Sequence, residues 1–220
     1  MNRIQLVCDL LVSYLKHYNV KHIVISSGTR AIPFIKAIET DDYFICHSVV
    51  DERNAAFYAL GLAQELNTVV GLTCTSGTAA SNYLSGITEA YYSHTPIVAI
   101  TADRSMQVLN QLETQKVNQP AIFEPVTNKS VTLPVIKDGD DFWYAKHLLD
   151  EVFLSMNQYS VGPIHINLPI EGSTNDITID REETKSRLLK PLDYYDGSMH
   201  NDWSMVYEQI KSYKRILVVI

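Results

Sequence analysis

Four short stretches of this chain place chemically useful side chains just past an apolar run. They are Ser26-Ser27-Gly28-Thr29-Arg30, Asp51-Glu52-Arg53, Thr75-Ser76-Gly77-Thr78 and Thr101-Ala102-Asp103-Arg104. Gly28 lets backbone approach a ligand closely. Thr29 offers a hydroxyl, and Arg30 a planar cation shaped for a carboxylate. Glu52 opens a helix-prone run, where a carboxyl either serves the helix dipole or is presented to a ligand at the strand end. Gly77 and Thr78 put small side chains and exposed amides at a helix start. Such a turn contacts an anion or another ligand, or is simply capped by its own hydroxyls. It lacks the further Gly and Lys of a Walker A loop and does not read GxGxxG. Asp103 and Arg104 can pair with each other at the surface, or Arg104 can turn to a bound anion, with Gln115 and Gln119 beyond it.

These stretches need a scaffold that brings them to one side. Apolar residues at helical spacing predict a helix over residues 3–18, and His22 to Ser26 reads as a short buried strand. Ile32 to Glu39 forms a helix with Pro33 in its first turn. Tyr43 to Val50 is a second strand, residues 52–66 a second long helix ending near Asn67, and Val69 to Thr75 a third strand. A helix from Ala79 to about Tyr92 and a strand from Ile97 to Thr101 follow. Residues 105–125 are polar and irregular, with four glutamines and two asparagines. Ser130 to Val135, the helix Asp141 to Asn157 and the strand Ile164 to Leu168 complete the set. Alternating strands and helices predict an α/β fold, a mostly parallel sheet of about six strands with helices on both faces. Sheets of this kind bind ligands at the carboxyl ends of their strands, where all four stretches fall.

Residues 171–200 are polar and weakly patterned, as in a linker, and Trp203 to Tyr213 is helix-like. Arg215 to Ile220 reads as the opening strand of another α/β unit. The expected organisation is a domain over 1–172, then a linker and the start of a truncated central domain over 173–220, within a longer protein.

The net charge of −7, without clusters of Lys and Arg, argues against nucleic acid or an anionic membrane as partner. Cys8, Cys46 and Cys74 form no CxxC pair and leave one over, so they read as buried free thiols rather than a metal or disulfide framework. No signal peptide or spanning segment is evident, and a cytoplasmic location is expected. The histidines show no metal spacing, and His47 reads as structural.

Taken together, Val50-Asp-Glu-Arg53 with Ala55-Ala56-Phe57, Cys74-Thr-Ser-Gly-Thr-Ala-Ala80 with Asn82, Thr101-Ala-Asp-Arg104 and Gly162-Pro-Ile-His-Ile-Asn-Leu-Pro169 carry a resemblance. The chain resembles the MenD family, the menaquinone-pathway 2-succinyl-5-enolpyruvyl-6-hydroxy-3-cyclohexene-1-carboxylate synthases, over its N-terminal pyrimidine-binding domain. The resemblance implies thiamine diphosphate as cofactor. In it Glu52 hydrogen-bonds N1′ of the aminopyrimidine and so promotes loss of the thiazolium C2 proton. Ser27, Gly28, Gly77 and Thr78 join Glu52 at the cofactor. Thr29, Arg30, Arg104 and Gln115 match substrate positions. The implied reaction decarboxylates the 2-oxoacid 2-oxoglutarate and adds the succinyl unit to an anionic acceptor, isochorismate. Mg²⁺ and the diphosphate fall to a domain outside this chain; Asp138-Gly139-Asp140 only echoes the Gly-Asp-Gly motif that holds them. An active site shared between subunits implies a homodimer or homotetramer.

The chain departs from the family pattern at Ser27, where Pro is usual, at Ala31, where Ser is usual, and around Gln115. There Leu112-Glu113-Thr114-Gln115 replaces Gly-Ala-Asn-Gln, and Glu113 brings a negative charge towards a pocket for anions. Two other readings stay open: a thiamine-dependent decarboxylase or carboligase using another 2-oxoacid, and a non-catalytic α/β ligand-binding or assembly module.

Overall fold

Apolar residues alternate along each inner strand, and the two sets are buried on opposite faces of one sheet. Ile23 and Ile25 face one way and Val24 the other; Val98, Ile100 and Ala102 oppose Ile97 and Ala99. A computed structural model describes residues 3–158, 160–171, 207–208 and 210–213. The strands are β1 (His22–Ile25), β2 (Ile45–Ser48), β3 (Val70–Cys74), β4 (Ile97–Asp103), β5 (Lys129–Thr132) and β6 (Ile164–Pro169). They form one sheet in the order β2-β1-β3-β4-β6-β5, and every pair is parallel. The α/β expectation holds, with both faces covered as a parallel sheet requires.

One face is covered by α1 (Arg3–His17), α2 (Ile32–Glu39) and α6 (Gly139–Gln158). Tyr14 and Tyr18 of this layer stack on Phe153, and the Tyr14 hydroxyl donates to Asp150 Oδ1 at 2.6 Å. The other face is covered by α3 (Glu52–Leu66), α4 (Thr78–Asn82) and α5 (Leu84–Tyr92). Here α3 and α5 approach closely at Gly86, where an added Cβ would lie 2.5 Å from that of Ala56.

Several predicted elements differ in extent; the strand expected from Ser130 to Val135, for example, is Lys129–Thr132. The helix expected from Ala79 to Tyr92 breaks at Tyr83, whose buried hydroxyl donates to Thr73 O at 2.7 Å and holds the residue against the sheet. Strand β2 shrinks to four residues because it is an edge strand with only the four-residue β1 as neighbour. Strand β4 extends through Ala102 and Asp103, because β6 pairs with it to Pro169. Edge position also leaves Cys46 half-exposed, against the expected burial, whereas Cys8 and Cys74 are buried. On the same edge His47 packs against His22, with ring nitrogens 3.1 Å apart. Asp138 caps α6 by accepting from the amides of Asp140 and Asp141.

The chain separates into two compact units, Met1–Leu189 and Lys190–Ile220. The sheet and helices just described lie in the first. In the second, Tyr207, Glu208, Ile210 and Lys211 are helical. The predicted helix over 203–213 stops short of its expected end, since Ser212 and Tyr213 are not helical; its residues 203–206 and 209, the linker expected over 173–200 and the strand expected at 215–220 lie outside the described residues. No helix among the described residues is long and apolar enough to cross a membrane.

Candidate functional site at the carboxyl ends of the strands

The chain leaves β1 for β2 on one side and β3 lies on the other, so the switch point of the sheet, where such folds bind ligands, falls at the carboxyl ends of β1 and β3. Two of the four stretches meet there. Gly28 is extended and so close to Thr75 that a Cβ on it would lie 2.4 Å from Thr75 Cβ. The amide of Arg30 donates to Thr75 Oγ1 at 3.3 Å. Glycine is required at Gly28 by this approach. Ser27 and Thr29 are exposed beside it.

Asp51 and Glu52 divide the start of α3 between them. Asp51 is the N-cap, and its Oδ1 accepts from the Asn54 amide at 2.8 Å. Glu52, the first helical residue, is partly buried and makes no hydrogen bond with another described residue. The helix end is thus capped without it, and its carboxyl is available. Its charge acts on the neighbouring wall: burial first, and Glu52 in smaller part, push the Cys74 thiol and Tyr83 phenol upward.

Gly77 adopts φ +85°, ψ −138°, a conformation that side chains disfavour. An added Cβ would also lie 3.0 Å from Gln115 Cα, so the backbone of the 105–125 stretch lies directly on this turn. The Gly77 amide, read in the sequence as a ligand contact, donates within the chain to Gln119 Oε1 at 3.1 Å. Thr78 begins α4, and its side chain is exposed.

Residues 104–128 link β4 to β5 with only two single-turn 3₁₀ segments, Met106–Val108 and Glu124–Val126. A connection this long without a helix is unusual in a compact domain and is usually functional. Its base is pinned by a buried polar network. Gln119 Nε2 donates to Ala102 O and Asn167 Oδ1, both at 2.9 Å. Asn167 Nδ2 donates to Asp103 Oδ2 at 3.0 Å. Lys116 Nζ donates to both oxygens of Asp103 and to Arg104 O. Next in line, buried His165 has Thr101 Oγ1 at one ring nitrogen (2.8 Å) and Ser130 Oγ at the other (2.7 Å). Burial lowers its pKa to about 3, so it is neutral.

Asp103 and Arg104 do not pair with each other through their side chains. Asp103 is inside the sheet, fully buried, and a buried carboxylate needs a partner, which Lys116 supplies. Arg104 Nη1 instead meets Glu113 Oε1 at 2.8 Å. Arg30 Nη1 donates to Ile170 O at 3.1 Å, and the Ile170 amide donates to Asp103 O, which brings Arg30 across the strand ends to Arg104. Burial lowers the Arg30 pKa, and the charge of Arg104 lowers it further, against the pull of Glu113 and Asp103. Gln115 is exposed, and its contact with the turn is through backbone.

Sequence reasoning missed Lys116 and Asn167. The signal for Lys116 was present, since it is the sole basic residue of 105–125 and follows Asp103 closely. Asn167 interrupts an apolar strand, and a buried amide there calls for partners.

The arrangement offers an available carboxyl, a guanidinium group held on Ile170 O, a second one paired with Glu113, and a glycine turn at the same end of the sheet. The aminopyrimidine end of thiamine diphosphate fits this set, because Glu52 is a hydrogen-bonding carboxyl left unused by its own helix. Among the described residues no cluster of His, Cys, Asp and Glu could hold a metal ion with the diphosphate.

The 2-succinyl-5-enolpyruvyl-6-hydroxy-3-cyclohexene-1-carboxylate synthase of Bacteroides fragilis is 34% identical over 212 residues, covering 96% of this chain and 38% of that protein. The enzymes of the same name from Desulfotalea psychrophila and Staphylococcus epidermidis are 37% identical over 168 residues and 35% over 213. These alignments cover 76% and 92% of this chain, and 31% and 37% of those proteins. The chain therefore spans less than two fifths of the length of these relatives. The family model for the N-terminal TPP binding domain of thiamine pyrophosphate enzymes matches residues 6–122, more than half of the chain. The chain belongs to this family of thiamine pyrophosphate enzyme N-terminal TPP binding domains.

Proposed function

We propose that this chain is the pyrimidine-binding part, residues 1–172, of a thiamine diphosphate-dependent enzyme that decarboxylates 2-oxoglutarate and adds the succinyl unit to isochorismate. The observation that carries it is Glu52, a partly buried carboxyl at the start of α3 that the helix, capped by Asp51, leaves unused. When bound, thiamine diphosphate supplies the nucleophilic carbon and the electron sink for 2-oxoacid chemistry. Glu52 would hydrogen-bond N1′ of the aminopyrimidine. Ser27, Gly28, Gly77 and Thr78 line the cofactor side. Thr29, Arg30, Arg104 and Gln115 face the substrates, whose several carboxylates suit two guanidinium groups.

Residues 173–220 then begin a linker and a further domain, and the diphosphate with Mg²⁺ belongs to a domain beyond them. A homodimer or homotetramer brings that domain from another subunit. Three free thiols suit the cytoplasm. The test is the intact protein with thiamine diphosphate, Mg²⁺, 2-oxoglutarate and isochorismate, followed for CO₂ and coupled product; absence of both refutes the assignment.

One observation favours a second reading. Glu113 occupies Arg104, a pairing suited to a substrate of lower negative charge than 2-oxoglutarate and isochorismate together. A thiamine-dependent decarboxylase or carboligase for another 2-oxoacid would then give turnover with a panel of 2-oxoacids but not with 2-oxoglutarate.

A further inference from the structure

We propose that Glu113 is an internal competitor for the anion clamp: its carboxylate fills Arg104 while the clamp is empty, and an incoming substrate carboxylate displaces it. This deepens the function proposed above and rests on its assignment of Arg30 and Arg104 to substrate.

The bond is direct, Arg104 Nη1 to Glu113 Oε1 at 2.8 Å, and both side chains keep solvent contact, 24% and 37% exposed. A partly exposed ion pair is easily exchanged for another. The alternative partner for Arg104 is already taken, because Asp103 is bound by Lys116 on both oxygens. The charge of Arg104 bears unfavourably on Arg30, and the charge of Glu113 opposes it there, while Glu113 pairs directly with Arg104. The clamp therefore carries two cations and one internal carboxylate, a net single positive charge in place of two.

The backbone allows the exchange. Lys116 and Gln119 fix the base of the stretch to the sheet. Its tip is held differently: Leu112 is fully exposed, and Asn110, Leu112 and Gln115 all take positive φ. Glu113 stands between the exposed tip and the fixed base, and its side chain reaches solvent. An anion that uses Arg104 must out-compete a tethered carboxylate, so its apparent affinity falls by the fraction of the clamp that Glu113 leaves free.

The probe is succinate, a dicarboxylate without a reactive carbonyl, titrated calorimetrically into the intact protein. Glu113→Gln is expected to bind it about five- to tenfold more tightly, since the variant keeps the shape and removes the competing charge. Arg104→Gln is expected to weaken binding, and Glu113→Gln in that background to add nothing. Equal affinity of wild type and Glu113→Gln, a gain that survives loss of Arg104, or no succinate binding by any variant would each overturn the proposal. So would an equal gain with succinamide, which would report a loosened loop rather than a freed charge. Thiamine diphosphate binding is measured separately on the same samples: its absence overturns the cofactor assignment and leaves the succinate comparison standing.

Discussion

Lys116 holds both carboxylate oxygens of Asp103, at 2.9 and 3.0 Å, with each side chain only 1% exposed. The pair fastens an irregular stretch to the last residue of β4, so its removal is felt in two ways. Lys116→Met strands a buried carboxylate and releases the loop base. A loss of roughly 3–5 kcal/mol is expected in denaturant unfolding. Adding Asp103→Asn should restore a good part of it, because the uncompensated charge is gone. If Lys116→Met unfolds like the wild type, the pair does not anchor the loop.

Asp51 and Glu52 give a paired test. Asp51→Ala removes the cap of α3 and is expected to cost about 1 kcal/mol. Glu52→Gln removes no hydrogen bond to a described residue, so unfolding should shift by less than about 0.5 kcal/mol. In the intact protein the same change should abolish proton exchange at C2 of bound thiamine diphosphate, followed by NMR. Exchange at the wild-type rate would remove Glu52 from the proposed role.

Gly77→Ala meets two obstacles: a backbone at φ +85° and a Gln115 Cα 3.0 Å from the new methyl group. The expected loss is about 1–3 kcal/mol. Because the clash is with the 105–125 stretch, faster proteolysis there should accompany it. Unchanged stability would mean that the turn and the stretch separate freely.

His165 sets a pH dependence. Its folded-state pKa is lowered from 6.5 to about 3 by burial, so between those values the unfolded chain binds the extra proton. The contribution of this residue to stability is therefore complete above pH 6.5 and declines as pH falls towards 3. The slope is at most about 1.4 kcal/mol per pH unit. His165→Gln should flatten this part of the stability–pH curve. A curve of the same slope in the variant would assign the dependence to other groups.

Much of this fold was legible in local pattern. Pro33 in a first turn marked α2, Asn67 marked the end of α3, where it takes φ 48°, and alternation along β1 and β4 announced burial on both faces. Those signals act within a few residues. The break at Tyr83 depends on a hydroxyl reaching Thr73, and the exposure of Cys46 depends on which strand is outermost; neither is encoded nearby. The site divides in the same way. The positions of Arg30, Glu52, Gly77 and Arg104 at strand ends followed from element boundaries. The pairing of Arg104 with Glu113, and of Asp103 with Lys116, required the path of a loop that has no periodicity to read.

The sheet order has a consequence for the newborn chain. Strand β6 lies between β4 and β5, although it is made after both. Strands β1 to β4 can pair as they leave the ribosome, but β5 has no sheet neighbour until residues 164–169 emerge. During that interval one side of β4 is an open edge, the kind that recruits strands from other chains. Asn167, which joins Asp103 to Gln119, arrives in the same segment. A ribosome stalled short of Ile164 would thus hold a sticky half-sheet, and the last strand of this sheet to be translated closes that edge and steadies the loop above it.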